Sequence, residues 1–197
     1  MVAGALKKKA LPARSSLRDI TELVEAQREA RRLAAMVEEQ LAHRANHDDL
    51  TGLTARRIVL GKLDEELDAG RPASVVFVDL DGFKAVNDEL GHLAGDDLLR
   101  EAAAAWSEGL RGPDILARWG GEEFVVVFPG TDLNEAVTVV ERMQLHTPGG
   151  QTFSAGVAVL LDTDTAATVV AAADAAMYQA KATGRNRVVA AVRRRAR

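Results

Sequence analysis

The pattern of hydrophobic and polar positions divides the 197 residues into an N-terminal helical segment and a longer region of alternating helices and strands. From Leu17 to about Ala45 the chain has no Gly or Pro, and charges of both signs are interleaved. Apolar positions there recur at alternating spacings of three and four, at Leu23, Ala26, Ala30, Leu33 and Val37. This spacing predicts a helix with an a/d seam. Because the seam is short and carries two alanines, two interpretations stay open: a helix packed on its own domain, and a parallel dimer stalk, which we favour.

Turn chemistry interrupts this helix at residues 47–53, HDDLTGL. Asp48 and Thr51 can each bond to nearby backbone, and Gly52 permits a sharp bend. We therefore place a domain boundary here. The resulting division is a basic tail and helix over residues 1–45, a folded domain over 46–192 and an Arg-rich tail over 193–197.

Beyond the boundary, helical and strand patterns alternate in one domain of about 150 residues, which is typical of the α/β class. We predict helices at Arg56–Leu67, Leu93–Leu110, Leu133–Leu145 and Thr165–Thr183. We predict strands at Ala73–Leu80, Ile115–Trp119, Phe124–Phe128, Thr152–Leu160 and Asn186–Val192. Gly120 and Gly121 join two of the strands, which indicates a hairpin with positive φ angles.

Composition narrows the classes of function. The formal net charge of −4 argues against a nucleic-acid or membrane-surface binder, and 47% hydrophobic residues argue against a disordered chain. There is no cysteine, which excludes a disulfide scaffold, a Cys-ligated zinc site and a thiol nucleophile, and fits a reducing cytoplasm. No apolar run approaches the roughly 18–20 residues of a membrane span.

Two acidic motifs follow predicted strands. Asp79 and Asp81 come at the carboxyl end of an apolar strand, where carboxylates are costly unless they are paired. Magnesium prefers carboxylate and phosphate oxygens, so Asp-x-Asp predicts a metal site, although such residues also cap helices. Glu122 and Glu123 follow the glycine pair, and strand alternation sends them to opposite sides unless a bulge re-aims one. The alternative is a solvated acidic turn, which the apolar segment FVVVF after it disfavours.

Two further segments carry candidate nucleotide-binding residues. Lys84 is a candidate phosphate cation, and Asn87 and Asp96 could together contact a purine edge, although both could instead be helix caps. Lys181 and Arg185 leave the last predicted helix across Gly184. Basic residues at that place are also the ordinary partners of the helix dipole.

Taken in order, the motifs HDDLTGL, DLDGFK, NDELGHLAGD, GGEEF and KATGRNR resemble the GGDEF family of diguanylate cyclases, over roughly residues 46–192. The resemblance implies an α/β (α+β) fold similar to the palm of polymerases and adenylyl cyclases, with a central, mostly antiparallel sheet flanked by helices. It implies condensation of two GTP molecules into cyclic di-GMP, in which a 3′-hydroxyl attacks an α-phosphate and pyrophosphate leaves. The chain departs from the family at Thr54 and Ala55, where Pro and Asn are usual, and in having GGEEF for GGDEF.

The resemblance also implies roles for individual residues. Asp79, Glu122 and the backbone carbonyl of Leu80 are expected to hold Mg²⁺ (or Mn²⁺), with Glu123 either contacting metal or helping to deprotonate the nucleophile. Guanine is expected to contact Asn87 and Asp96. The remaining GTP contacts are expected from Phe83 and its neighbours, whose backbone amides follow Asp81, and from Lys84, Gly120, Gly121, Lys181 and Arg185.

Each domain is expected to supply one GTP site, so the reaction needs two domains facing each other, and the N-terminal helix is the expected means of forming a homodimer. Arg111 and Asp114 match the family's R-x-x-D site for the product as inhibitor, and Arg142 is placed as a further contributor. The alternative for R-x-x-D is a surface turn.

Other functions stay open at the level of sequence. A family member could bind GTP or cyclic di-GMP and relay a signal without catalysis, but such members usually lack a signature carboxylate or glycine, and this chain has all of them. An enzyme making a mixed cyclic dinucleotide is disfavoured by Asp96. The N-terminal helix could also dock on a partner protein, a function that would accompany cyclase activity and not replace it.

Overall fold

The computed structural model describes residues 15–193, with side chains over residues 22–38 and 46–193. The described residues divide into two compact units, with the division between His43 and Arg44. The predicted basic tail before residue 15, and residues 194–197 of the predicted Arg-rich tail, lie outside the described residues. Among the helices of the described part, none combines the length and the apolar character needed to cross a membrane.

The α-helices of the described residues lie close to the predicted positions, with one addition. Their bounds are α1 Ser15–Asn46, α2 Arg56–Asp68, α3 Phe83–Leu90, α4 His92–Glu108, α5 Leu133–Leu145 and α6 Ala166–Ala182, with a 3₁₀ turn at Pro148–Gly150. The sequence predicted no helix at α3. It is only eight residues long and lies between Gly82 and Gly91, both with positive φ, so the local pattern resembles a loop.

The strands form one six-stranded sheet in the order β1-β3-β4-β2-β5-β6. Their bounds are β1 Thr54–Ala55, β2 Ala73–Leu80, β3 Ile115–Gly120, β4 Glu123–Pro129, β5 Phe153–Val159 and β6 Arg187–Ala190. The pairs β3–β4, β4–β2 and β2–β5 are antiparallel, whereas β1–β3 and β5–β6 are parallel. The predicted mostly antiparallel sheet flanked by helices is thus confirmed. The two-residue β1 was not predicted.

Every residue of β2 is buried, because helices cover both faces of this central strand. Val76, Val78 and Leu80 belong to one core, which is completed by α4 and α5 and centred on Trp106. Val75 and Phe77 belong to the other core, completed by α2 and α6. Strand alternation therefore places Asp79 on the face that α6 covers.

The contact between β5 and α6 is unusually close at Gly156. A Cβ atom added there would lie 2.0 Å from the Ala173 carbonyl oxygen and 2.2 Å from the Met177 amide nitrogen. The backbones approach this closely because Gly156 has no side chain. The approach brings the C-terminal end of α6, which carries Lys181, against the end of β2.

Candidate active site

Asp79 lies at the carboxyl end of β2, directly opposite Glu123 on β4 and Ser154 on β5. Its side chain is buried, and the Lys181 Nζ atom lies 2.5 Å from its Oδ2 atom. Burial raises the pKa of Asp79, the ion pair with Lys181 opposes this, and the nearby charges of Glu122 and Asp81 raise it further. The carboxylate thus sits in an environment with an excess of negative charge.

The glycine pair forms the predicted hairpin between β3 and β4, with Gly121 at a φ of 56°. The pairing register shifts between Arg118 and Gly120, which is the irregularity that could re-aim one glutamate. Glu123 begins β4 in register with Asp79, whereas Glu122 precedes the strand. The Leu80 amide donates a hydrogen bond to the Glu122 carbonyl at 3.3 Å, so the backbones of these two residues adjoin.

Glu123 lies between two acidic neighbours. Burial raises its pKa, and the charges of Asp79 and Asp174 raise it further. Asp174 belongs to α6 and lines a cavity of about 310 Å³ together with Glu123, Trp119 and Arg56. The sequence analysis did not identify Asp174. The one sequence feature that could have identified Asp174 is its position seven residues before Lys181, which places both residues on the same side of a helix.

The expected metal ligands can be compared with this geometry. Among the described side chains, those of residues 22–38 and 46–193, no three His, Cys, Asp or Glu residues form a ready-made metal cluster. Two carboxylates, Asp79 and Glu122, lie near one another, and the backbone of Leu80 adjoins Glu122. Such an incomplete set of oxygen donors, with excess negative charge, fits an ion that keeps water and phosphate oxygens among its ligands, as Mg²⁺ does.

The residues expected to contact guanine lie on the pair of helices α3 and α4. Asn87 belongs to α3 and Asp96 to the first turns of α4, and both are partly buried. Gly95 lies directly beneath the Asn87 amide, since an added Cβ would be 2.1 Å from its Oδ1 atom. The absence of a side chain at Gly95 therefore leaves the room that the Asn87 amide occupies. Phe83 is buried and Lys84 is exposed at the start of α3.

The chain makes a tight turn after α6. Gly184 has a φ of 122°, and Arg185 and Asn186 have positive φ angles of 60° and 47°. The Arg185 amide donates to the Ala180 carbonyl at 3.0 Å. The Arg185 side chain is exposed, while Lys181 one turn earlier reaches Asp79.

Arg118 joins the hairpin to the turn at residues 47–53. Its Nε atom donates to the Gly121 carbonyl at 2.9 Å, and one terminal nitrogen lies 3.2 Å from both carboxylate oxygens of Asp48. Asp48 also accepts bonds from the amide and the hydroxyl of Thr51, and the bond from the amide is the backbone contact that the sequence predicted. Burial acts to raise the pKa of Asp48, but the bonds from Thr51 and Arg118 outweigh it, so the pKa is lowered. Sequence reasoning did not identify Arg118.

The second candidate site, at the start of β3, contains a formed ion pair. The side chains of Arg111 and Asp114 are 3.3 Å apart, and that of Asp114 is almost fully buried. Arg111 also donates to the Thr131 hydroxyl at 2.6 Å and lies 3.5 Å from Glu135. Arg142 on α5 donates to the Gly109 carbonyl at 3.0 Å. Both guanidinium groups are thus held at the surface by contacts within their own chain.

A family model described as "Diguanylate cyclase, GGDEF domain" matches residues 45–187. The response regulator PleD of Caulobacter vibrioides is 40% identical over 159 residues, covering 72% of this chain and 35% of that protein. Diguanylate cyclase DgcM of Escherichia coli K12 is 36% identical over 166 residues, covering 79% of this chain and 40% of that protein. The chain thus spans little more than a third of the length of these curated relatives. The crystal structure of the coiled coil and GGDEF domain of DgcB from Caulobacter crescentus, in complex with c-di-GMP, has a TM-score of 0.78 at 29% identity, covering 87% of this chain and 98% of that chain.

The predicted resemblance and the predicted fold are therefore confirmed. The residues matched by the family model make up most of the chain and include the acidic end of β2, the glycine hairpin and the turn after α6. The chain belongs to the GGDEF-domain family of diguanylate cyclases.

Proposed function

We propose that this domain is a diguanylate cyclase that condenses two GTP molecules into cyclic di-GMP and releases two pyrophosphates. The observation that carries the proposal is the arrangement at the end of β2. There Asp79 is buried opposite Glu123, and the charge of Glu122 is close enough to raise its pKa. Asp79 also forms an ion pair with Lys181 at 2.5 Å. Carboxylates that hold a divalent metal, next to a cation that holds phosphate, are what a triphosphate substrate requires.

Asp79, Glu122 and the Leu80 carbonyl would hold Mg²⁺ (or Mn²⁺). When bound, the metal would lower the pKa of the attacking hydroxyl and neutralise charge on the phosphate oxygens. Glu123 would contact metal or accept the proton of the hydroxyl. In each half-reaction the 3′-oxygen of one GTP forms a bond to the α-phosphorus of the other, the bond to the bridging oxygen breaks, and pyrophosphate carries that oxygen away.

The chain's own cations would position the triphosphate. Lys84 is exposed at the start of α3, and Arg185 is exposed in the turn after α6. Lys181 would exchange or share its bond to Asp79 with a phosphate oxygen. Backbone amides near Phe83, and the Gly120-Gly121 hairpin, would allow the phosphates to approach the backbone closely. Asn87 and Asp96 would bind the guanine edge, an arrangement that favours GTP over ATP.

The reaction brings together two GTP-loaded domains, and we propose that α1 forms a parallel homodimer for this purpose. All five positions of the predicted seam are exposed in the single chain, including Leu23 at 69% and Leu33 at 57%. Exposed large apolar side chains at this spacing are typical of a helix that packs against a second helix. Size-exclusion chromatography with light scattering tests the dimer. A chain lacking residues 1–45 that keeps both its dimer and its turnover would overturn the role of the helix.

We also propose that the product inhibits the enzyme through Arg111, Asp114 and Arg142. The two exposed guanidinium groups suit the phosphates of cyclic di-GMP, and the buried Asp114 carboxylate suits the guanine N–H groups once a ligand displaces Arg111 from it. Because Arg111 is bonded to Asp114 and Thr131, a ligand would have to compete with these contacts.

Product analysis after incubation with GTP and Mg²⁺ tests the activity and the inhibition together. We expect cyclic di-GMP from the parent chain, none from Glu122→Gln, and a higher product plateau from Arg111→Ala. The exposed residues Glu101 and Arg100 on α4 provide the matched controls Glu101→Gln and Arg100→Ala, which should behave as the parent. A parent chain that is dimeric, binds GTP and yields no product would replace the cyclase proposal by that of a nucleotide-binding signalling module. Incorporation of ATP into the product would overturn the assignment of guanine specificity.

A further inference from the structure

Asp81 has a carboxylate whose oxygens are both occupied by donors from the protein. It follows β2 directly and is only 9% exposed. Its Oδ1 atom accepts from the Ser154 hydroxyl at 2.7 Å, and its Oδ2 atom accepts from the Thr152 hydroxyl at 2.8 Å and from the Asn186 amide at 3.0 Å. The side chain therefore ties the end of β2 both to β5 and to the turn after α6.

The turn that Asp81 holds is conformationally costly. Arg185 and Asn186 both have φ angles in the left-handed region, which non-glycine residues adopt rarely and only when the surroundings enforce it. The bond to Asp81 is made by the amide of Asn186, at the second of these two residues. A charged acceptor of this kind makes a stronger hydrogen bond than a neutral carbonyl. Asp81 is thus placed to keep the chain in this conformation.

The same turn carries the cation that the proposed function assigns to the triphosphate. Within the described residues, the Arg185 guanidinium has no hydrogen-bond or ion-pair partner, and it is exposed. Lys181, in the last turn of α6, forms an ion pair with Asp79, which lies two residues before Asp81. The end of β2 therefore positions both cations. Lys181 contacts Asp79 directly, and Arg185 is held by the bond from the neighbouring Asn186 amide to Asp81.

We propose that Asp81 is a positioning residue, which rests on the proposed function: it fixes the turn at residues 183–186 so that Arg185 and Lys181 meet the phosphates of GTP. A role as a further metal ligand is disfavoured by the same contacts. The amide hydrogen of Asn186 is directed at Oδ2 and, unlike a hydroxyl hydrogen, cannot rotate away to admit a cation.

The test is the affinity of Asp81→Asn for nucleotides that differ only in phosphate number. The probes are 3′-deoxy-GTP and 3′-deoxy-GMP, which lack the attacking hydroxyl, so that binding is measured at equilibrium by calorimetry without turnover. An asparagine keeps the shape but replaces one acceptor oxygen with a donor. We expect the triphosphate to bind about tenfold more weakly and the monophosphate to change by less than about twofold, because only the phosphate contacts depend on the turn.

Asp164→Asn is the matched control. Asp164 accepts bonds from the Leu161 amide, the Thr168 hydroxyl and Arg193, so it makes a comparable structural clamp in another corner of the domain. Its substitution should leave the ratio of the two affinities unchanged. An equal loss for both nucleotides in Asp81→Asn, or the same change of ratio in Asp164→Asn, overturns the proposal. So does full recovery of triphosphate affinity at high Mg²⁺, which would make Asp81 a metal ligand.

Two further variants keep the test decisive. If Asp81→Asn fails to fold, Ser154→Ala is the substitute, because it removes one of the three hydrogen-bond donors to Asp81. Ser154→Ala should weaken binding of the triphosphate by less than tenfold and leave binding of the monophosphate unchanged. An unchanged ratio there overturns the proposal. In an Arg185→Ala background, Asp81→Asn should reduce the affinity for the triphosphate much less than it does in the parent. The same reduction in both backgrounds contradicts a role of Asp81 through the turn. Formation of cyclic di-GMP by the parent is a separate readout: its absence overturns the cyclase function and leaves the ratio of affinities to decide the role of Asp81.

Discussion

The close approach of β5 and α6 at Gly156 makes a strong prediction about stability. In Gly156→Ala the new methyl carbon would lie 2.0 Å from the Ala173 carbonyl oxygen, where an ordinary contact is 3.4 Å or more. The helix must therefore retreat from the sheet by roughly 1 Å or more, because the atoms in the way belong to the backbone and cannot rotate aside. Overpacking a core usually costs about 1–3 kcal/mol, and here we expect at least about 3 kcal/mol.

The chain offers a matched control in Gly61→Ala. Gly61 is an exposed position inside α2, and an added Cβ would meet no atom within 4 Å. Because alanine has the higher helix propensity, this variant should be more stable than the parent by about 0.5–1 kcal/mol. The same chemical change is thus expected to act in opposite directions at the two glycines.

Equilibrium unfolding in urea at fixed protein concentration measures both effects. With an m value of about 2 kcal/mol/M, Gly156→Ala should lower the midpoint by about 1.5 M or more, and Gly61→Ala should raise it slightly. Any folded Gly156→Ala protein should also have lost activity, since the retreat of α6 removes Lys181 from Asp79. A Gly156→Ala midpoint equal to or above that of the parent would refute the close packing of β5 on α6.

Three further substitutions test separate features. Gly95→Ala should raise KM for GTP by about tenfold and leave kcat at saturation little changed, because the new methyl group displaces the Asn87 amide; an unchanged KM in steady-state kinetics would contradict this. The hydrogen bond from Arg71 lowers the pKa of the buried Glu66 from its usual 4.5 to about 2; burial opposes this shift and Lys62 adds to it. Ionised Glu66 therefore stabilises the folded protein fully at pH values above 4.5, and this stabilisation is lost as the pH falls toward 2. Glu66→Gln should therefore cost about 1–3 kcal/mol in urea unfolding at pH 7 and much less at pH 3, and a cost that does not shrink would refute the ion pair. Arg118→Ala should lower both the unfolding midpoint and turnover, since it leaves the Asp48 carboxylate without its cation and frees the Gly121 carbonyl; normal turnover would show that the link to the hairpin does not matter.

The elements that carry the site were predictable because their signals are local. The six residues between Arg71-Pro72 and Asp79 are apolar except for Ser74 and rich in valine, which predicts a buried strand, and β2 has the predicted bounds Ala73–Leu80. The glycine pair likewise predicted the hairpin between β3 and β4. The helix α3 was not predicted, because eight residues between two glycines contain too few turns to establish a period.

The partners of the site residues were not predictable, because they are distant in sequence. Asp81 contacts Thr152, Ser154 and Asn186, which are 71, 73 and 105 residues away. The alignment of Asp79 with Glu123 depends on the register of β2 and β4, which the local sequence of neither strand determines. Strand alternation predicted opposite sides for Glu122 and Glu123, but it could not say which of them would be in register with Asp79.

Two aspartates of the same type, separated by one residue, are thus placed in unlike situations. Asp79 has an ammonium group as its ion-pair partner, and a side chain such as Lys181 can move when a metal ion or a phosphate competes for it. Asp81 has two hydroxyls and a backbone amide, all of them held in place by β5 and the turn before β6. The carboxylate of Glu123, in register with Asp79, has no hydrogen-bond partner among the described residues. Under the proposed function Asp79, Glu122 and Glu123 are therefore the carboxylates available to metal and substrate, because the bonds of Asp81 are already made within the protein.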